Sequence, residues 1–354
     1  PSGCGKATTP LVLAALHPKG EFHACDFNPP HIAHAEALRA QAGIGNLRLY
    51  AKSIGEMLRA DLPRFDFVVL HGVYSWVPQA VRGEIVEFLR TRLKPGGLAM
   101  VSYNAMPGWA HLQPLRRMMR AHAESARGDS LDKARAAFGY VRALAKARSG
   151  YFATLPAAAA HLESIAQKDI RYVAHEYLTP HGDPFYFPQG EEAMRAAGLA
   201  FAGSMDAADN YAELMMPAAL RALMPADASR AALETHRDFV LNTTFRRDLY
   251  AAQPAAAQPA VLGLERLQGI EFCLADLPER LPMKVAAGPL QFDLSGQAGT
   301  VRTVHALLGS GPAGASAITG AVGGGAAFLI QQLVVSGHLS PCAAVRAAAG
   351  WLPL

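Results

Sequence analysis

Two apolar runs constrain this chain more than anything else in it: FDFVVLHG at residues 65–72 and LAMVSYNA at 98–105. Runs of this kind belong to strands covered on both faces, the usual state of a parallel sheet. The segments around them alternate. TTPLVLAALHP (8–18) reads as a helix and EFHACDF (21–27) as a short strand. PPHIAHAEALRAQAG (29–43) has helical spacing, with prolines suited to a first turn and Gly43 at the stop. NLRLYAKS (46–53) alternates as a strand, and QAVRGEIVEFLRTRL (79–93) is an amphipathic helix ended by Lys94-Pro95-Gly96-Gly97. Such alternation predicts an α/β fold, a parallel sheet with helices on both faces and a ligand site at the carboxyl ends of its strands.

Beyond Pro107-Gly108-Trp109 the texture changes. Between Arg116 and Arg148 nine Lys or Arg stand against three Asp or Glu, on segments that look helical. A solvated helix face explains this, and so does a docking surface for an acidic partner. HEYLTPHGDPFYFP (175–188) is crowded with aromatics, His and Pro, and AAQPAAAQPA (251–260) has linker composition. We therefore expect three parts: 1–110, 111–250 as a mostly helical α+β region, and a C-terminal domain, 251–354, that is winged-helix-like. From Thr303 to Val345 there is no Asp, Glu, Lys or Arg, yet its many glycines make a poor bilayer anchor, so a packed helical segment is expected rather than a membrane span.

With 51% hydrophobic residues in 354, the chain is not a solvated coil. Its four cysteines lie too far apart for a disulfide framework or a zinc cluster, and reduced thiols fit a cytoplasmic protein. A formal net charge of +4 does not by itself imply nucleic acid, and no nucleic-acid partner is expected. The sequence opens inside a glycine turn, Pro1-Ser2-Gly3-Cys4-Gly5-Lys6, without an initiator Met; the expectation is a fragment whose first strand is missing.

That turn admits two readings. A P-loop needs Ser or Thr after its lysine to hold Mg²⁺, and Ala7 follows Lys6. It also needs a strand ending in acidic residues, whereas FDFVVLHG ends in His71-Gly72; Leu294-Ser295-Gly296-Gln297 is too short a match to count. The other reading is a nucleoside-binding turn whose glycines let backbone approach a ligand at a helix start. It requires a carboxylate about 20 residues on, at the next strand end, to accept two hydrogen bonds from a ribose diol. Asp26, 21 residues after Gly5, meets that requirement.

These residues resemble the class I S-adenosylmethionine-dependent methyltransferases. Gly3-Cys4-Gly5 matches the core of their E/D-x-G-x-G-x-G turn, and Asp26-Phe27-Asn28-Pro29 their ribose-binding strand end. FDFVVLHGVYSWVP, LKPGG and VSYNAMPGW, then FYFPQGEEAMRAAGLAFAGSMDAADNY and RDFVLNTTFRRDLY, are similar to bacterial members with a methyltransferase regulatory domain, among them rickettsial protein lysine methyltransferases. The likeness covers most of residues 1–250. It implies a Rossmann-like sheet and S-adenosylmethionine as cofactor. Gly3, Cys4 and Gly5 would face its methionine end, Asp26 its ribose, Phe27 its adenine face, Ser53 and Ile54 the adenine edge, and His71 and Gly72 the reactive methyl group. Ala7, at the third glycine position, departs from the pattern.

Methyl transfer is an in-line displacement from a sulfonium and calls for positioning and desolvation rather than a metal. The candidate acceptor-side residues are His71 as wall or base, Tyr74 and Trp76 as aromatic faces for an ammonium group, and Tyr103 with Asn104 at the next strand end. Packing roles are the alternative for each. No [D/N]-P-P-[Y/F] segment follows FDFVVLHG, which counts against flat amide acceptors and leaves lysine or another small nucleophile. The methyl acceptor is thus a protein or a small molecule. His175, Glu176, Tyr177, His181 and Asp183 form no compact ligand set, and no metal is expected. A non-catalytic binding module is the alternative from another class, with a P-loop nucleotide-binding protein behind it.

Overall fold

The computed structural model describes residues 3–210, 215–225, 228–252, 270–275, 281–287, 290–323 and 326–342. It divides into two compact units, Pro1–Met205 with Met224–Ala256, and Asp206–Leu223 with Ala257–Leu354.

The first unit opens α1 (Thr8–Leu16), β1 (Phe22–Asp26), α2 (Pro29–Gln41), β2 (Leu47–Ala51), α3 (Ile54–Arg59), β3 (Phe65–Leu70), α4 (Gln79–Arg92) and β4 (Leu93–Asn104). The alternation expected from the sequence is therefore present, with α3 as an addition. Strands β1 and β2 pair in parallel, Phe22 opposite Leu47 through Asp26 opposite Ala51, and β3 runs parallel to β4. Prolines at the start of α2 have no amide hydrogen to lose there, and Gly43 follows its end at φ 64°.

A run of helices follows: α5 (Leu112–Ser125), α6 (Ser130–Lys146), α7 (Gly150–Thr154), α8 (Pro156–Ile165), α9 (Ile170–Leu178) and α10 (Phe187–Ala196). They bury a core of their own around Leu115, Met119, Val141, Leu162 and Val173. The chain then returns to the sheet through β5 (Leu199–Ser204), α11 (Arg230–Leu241) and β6 (Phe245–Ala252). The larger sheet has the order β3–β4–β6–β5, with β6 antiparallel to both neighbours. Residues past 199 thus complete the sheet begun by the first hundred. Of AAQPAAAQPA, Ala251 and Ala252 belong to β6, and 253–260 lie outside the described residues.

One expectation needs correction. Strand β4, between β3 and β6, is buried through its carboxyl half, but β3 is not covered on both faces: Phe67 is 72% exposed and Asp66 pairs at the surface with Lys94. Among the described residues β3 is hydrogen-bonded along one edge only, to β4, and β1 only to β2.

In the second unit β7 (Glu271–Leu274) lies between β10 (Ala313–Gly314) and β11 (Leu339–Cys342), and β8 (Lys284–Ala287) forms a hairpin with β9 (Leu290–Asp293). Three helices, α12 (Ala298–Gly309), α13 (Ala315–Val322) and α14 (Ala326–Val335), pack with Phe272 and Leu281 in an apolar core. The charge-free stretch supplies α13 and α14 to that core, and no described helix is long and apolar enough to cross a membrane.

Candidate functional site

The turn ahead of α1 is built on backbone that side chains resist. Gly3 has φ 66°, Gly5 φ 55° and Ala7 φ 55°, all left-handed. A Cβ on Gly3 would lie 2.7 Å from Val73 Cγ2, so the glycine lets the turn close against the segment after β3. Cys4 N–H donates to the Cys25 carbonyl at 3.0 Å, tying the turn to β1.

One residue further on, Asp26 faces the bend. Its Oδ2 accepts from Gly5 N–H at 2.8 Å, and its Oδ1 accepts from Asn28 N–H at 3.0 Å and lies 3.3 Å from His31 Nδ1. The side chain is held from both ends, and the residue is only 6% exposed. A carboxylate offers about four lone-pair positions, so capacity remains for a hydroxyl donor. No atom lies within 4 Å of where a Cβ on Gly5 would stand, which leaves open space over the turn. Burial pushes the Cys4 thiol up to about 11, so it stays neutral and serves as wall rather than nucleophile.

The other strand ends differ in how far they fit. Phe27, directly after Asp26, is 78% exposed and presents its ring at the surface. Ser53 closes a capping box on α3, its hydroxyl accepting from Glu56 N–H at 3.3 Å and donating to Glu56 Oε2 at 2.8 Å. Its side chain is thus committed to the helix start, while Ile54 packs on the main core. His71 stands exposed beyond β3 with its ring edge-on to Phe245 at 6.2 Å. Gly72, at φ 67°, donates its N–H to Ser102 Oγ at 2.7 Å, fixing that strand end. Direct contacts therefore join Gly5 to Asp26 and Cys4 to Cys25.

Two expected acceptor residues are corrected. Tyr103 is 1% exposed, and its hydroxyl donates to Asp248 Oδ2 at 2.6 Å. Burial, with the Asp248 charge beside it, holds its pKa well above the tyrosine range. It belongs to a buried network in which Arg246 bonds Asp248, Asp238 and Glu234 and stacks on Phe187. Tyr74 is buried too, packed against Phe185 and Tyr103. Both are packed away from the surface in this structure: Phe185 lies against the two rings, and Gly190 of α10 closes on the Tyr103 hydroxyl. Trp76 is partly exposed, but Trp109 meets it edge-on, His175 lies 5.4 Å from it and the Arg116 guanidinium sits over it. Its face is already taken by a cation of this chain.

Asn104, expected beside Tyr103 at the strand end, has its Nδ2 buried at the end of β4 without an acceptor, and sequence reasoning missed Arg116, hidden within a generally basic stretch. Among the described residues no three His, Cys, Asp or Glu come together as a metal set.

The family described as a methyltransferase domain matches residues 2–99, and that described as a predicted methyltransferase regulatory domain matches 169–252. A Rickettsia prowazekii protein, RP028, is 34% identical over 190 residues, 53% of this chain and 74% of that protein. The chain belongs to the class I S-adenosylmethionine-dependent methyltransferases with a regulatory domain. The chain is also 32% identical over 291 residues to sll1526 of Synechocystis sp., covering 82% of its own length but 56% of that relative's. Among solved structures, that of PKMT2 from Rickettsia typhi in complex with AdoHcy superposes with a TM-score of 0.74 at 26% identity, covering 96% of this chain and 70% of the other.

The residues around the turn suit a nucleoside ligand. The glycine cradle is open, the carboxylate opposite it retains acceptor capacity, and the α1 amino end lies next to both. Phosphate fits poorly, because the turn N–H of Gly5 already points at a carboxylate that would repel an anion. That disposes of the P-loop reading on physical grounds.

Proposed function

We propose that this chain binds S-adenosylmethionine at the Gly3–Gly5 turn and methylates lysine side chains of protein. The observation that supports this best is the 2.8 Å bond from Gly5 N–H to Asp26 Oδ2, which sets a buried carboxylate facing an open glycine turn. Asp26 holds the ribose hydroxyls, Gly3, Cys4 and Gly5 line the methionine end, and the exposed Phe27 ring lies against adenine. Ser53 and Ile54 bound the adenine edge through backbone and stem, since the Ser53 hydroxyl caps α3. His71 and Gly72 stand where the methyl group is presented. The bound cofactor supplies a methyl group on a sulfonium leaving group. This chain orients that carbon, excludes water and lets the acceptor ammonium lose its proton, with His71 as an exposed wall at the strand end.

The AdoHcy in the PKMT2 structure and that protein's likeness to this chain support the cofactor and the acceptor class. We place cofactor binding in 1–110, shaping of the acceptor site in 111–250 and a separate C-terminal domain in 251–354. A reducing, cytoplasmic setting suits the thiols of Cys4, Cys25 and Cys273. The test is transfer of labelled methyl groups from S-adenosylmethionine to candidate proteins, followed by amino-acid analysis. Methyl-lysine that depends on Asp26 supports the reading; label confined to small molecules, or no transfer, refutes the acceptor.

A further inference from the structure

Arg116 is an unusual residue to find inside a fold. It is 8% exposed, yet among the described residues its guanidinium bonds only carbonyl oxygens, Glu176 O at 3.1 Å, His181 O at 2.5 Å and Thr179 O. It also lies against Gly182, where a Cβ would come within 2.4 Å of its Cζ. Among the described residues no carboxylate forms an ion pair with this guanidinium; Asp183 and Glu176 act on it only at longer range, in a medium that screens charge poorly. Arg120 stands one helical turn along α5 and Arg117 beside it, and neither forms an ion pair among the described residues. Like charges three to four residues apart on a helix repel. The fold therefore concentrates positive charge, only partly offset by Asp183 and Glu176, at one place.

That place is a pocket of about 170 Å³ formed by Trp109, Arg116, Arg117, Arg120 and Asp183. Its one carboxylate, Asp183, is already bonded to Arg82 at 2.9 Å. From Arg120 a second groove of about 420 Å³ continues past Glu124 and Lys133 to Thr179. The pocket adjoins the strand ends, because Arg116 covers Trp76 and Ser75 Oγ accepts from Asn104 N–H at the end of β4.

We propose that this groove, between α5 and the segment from α9 through Asp183, binds an acidic stretch of polypeptide, with Arg116, Arg117 and Arg120 holding its carboxylates. That the stretch belongs to the methyl-accepting protein rests on the proposed function; the binding itself does not. Polypeptide is favoured over nucleic acid because Glu124 and Asp183 interrupt the lining. A phosphate backbone calls for an unbroken cationic track, whereas a peptide can place neutral residues opposite those carboxylates.

Fluorescence anisotropy on the full chain tests this, using a labelled peptide with a run of glutamates beside one lysine. Its counterpart has glutamines instead, and a single-stranded RNA serves as the rival ligand. The acidic peptide is expected to bind at least about tenfold tighter than the glutamine peptide and to weaken with salt. The double variant Arg117→Ala, Arg120→Ala should lose about tenfold for the acidic peptide, while Arg117→Lys, Arg120→Lys retains most of the affinity. S-adenosylhomocysteine titrated into the same proteins reads the cofactor site separately. Acidic-peptide binding that persists without cofactor binding still supports the groove and refutes only the methyltransferase reading. Equal binding of the two peptides, unchanged affinity in the alanine variant, or RNA binding tighter than peptide and lost in that variant overturns the proposal.

Discussion

At Gly3 a single hydrogen stands where any other residue would place a methyl group into Val73. Gly3→Ala combines that clash with a left-handed φ, and each alone costs about 1–2 kcal/mol. We expect a lower melting temperature together with weaker S-adenosylhomocysteine binding, read by thermal shift with and without the ligand; a variant that melts like wild type contradicts the geometry. Ser53 separates stability from recognition. Ser53→Ala removes a capping box and should cost about 1 kcal/mol in chemical denaturation. Asp26 was legible in the sequence because a glycine turn, a helix and the next strand end form one local unit, so spacing alone brings carboxylate and turn together. Tyr74 and Tyr103 were not legible as buried residues. Whether a strand-end side chain faces a cleft or a core depends on what covers that face, and here the cover comes from Phe185 and α10, far along the chain.

Between elements, the sheet is held by charge as much as by apolar contact. Asp248 on β6 accepts from Tyr103 on β4 and from Arg246, which in turn reaches Asp238 and Glu234 on α11. Asp248→Ala strips Arg246 of one partner and takes the carboxylate acceptor from the buried Tyr103 and Tyr250 hydroxyls. About 3–5 kcal/mol should be lost, measured by denaturant unfolding; a loss below about 1 kcal/mol contradicts the network's role. Helix α9 gives a pH signal. Burial raises the Glu176 carboxyl from 4.5 to about 7. Above 4.5 the unfolded chain gains stability by ionising while the folded one does not, so this residue destabilises increasingly between pH 4.5 and 7 and constantly above. Glu176→Gln should therefore melt at the wild-type temperature near pH 4 and higher than wild type at pH 8. A gap that closes as pH rises contradicts the assignment. Strand β4 could be read from composition, since burial leaves its mark along its carboxyl half, with Val101 through Asn104 all buried. The pairing of β6 with β4 could not, because antiparallel partners separated by more than a hundred residues leave no local pattern, and the single-edged pairing of β3 was equally invisible.

Taken whole, the molecule holds a cofactor-type turn on the β1–β2 pair and joins β3 and β4 to strands of the family's regulatory region in one four-stranded sheet of its first unit, while its second unit is built from segments before and after the last strand of the first. The charge-free stretch near the carboxyl end reads in isolation like a membrane segment with too many glycines; in the fold it supplies the helices of an apolar core. The account stands on the carboxylate that faces the turn, and calorimetry with S-adenosylhomocysteine addresses it directly. Wild-type protein should bind with measurable heat, and Asp26→Ala should weaken that binding by about 1.5–3 kcal/mol, the worth of charged hydrogen bonds to a diol. Equal affinity in the two proteins, or no heat from the wild type at high concentration, would contradict it.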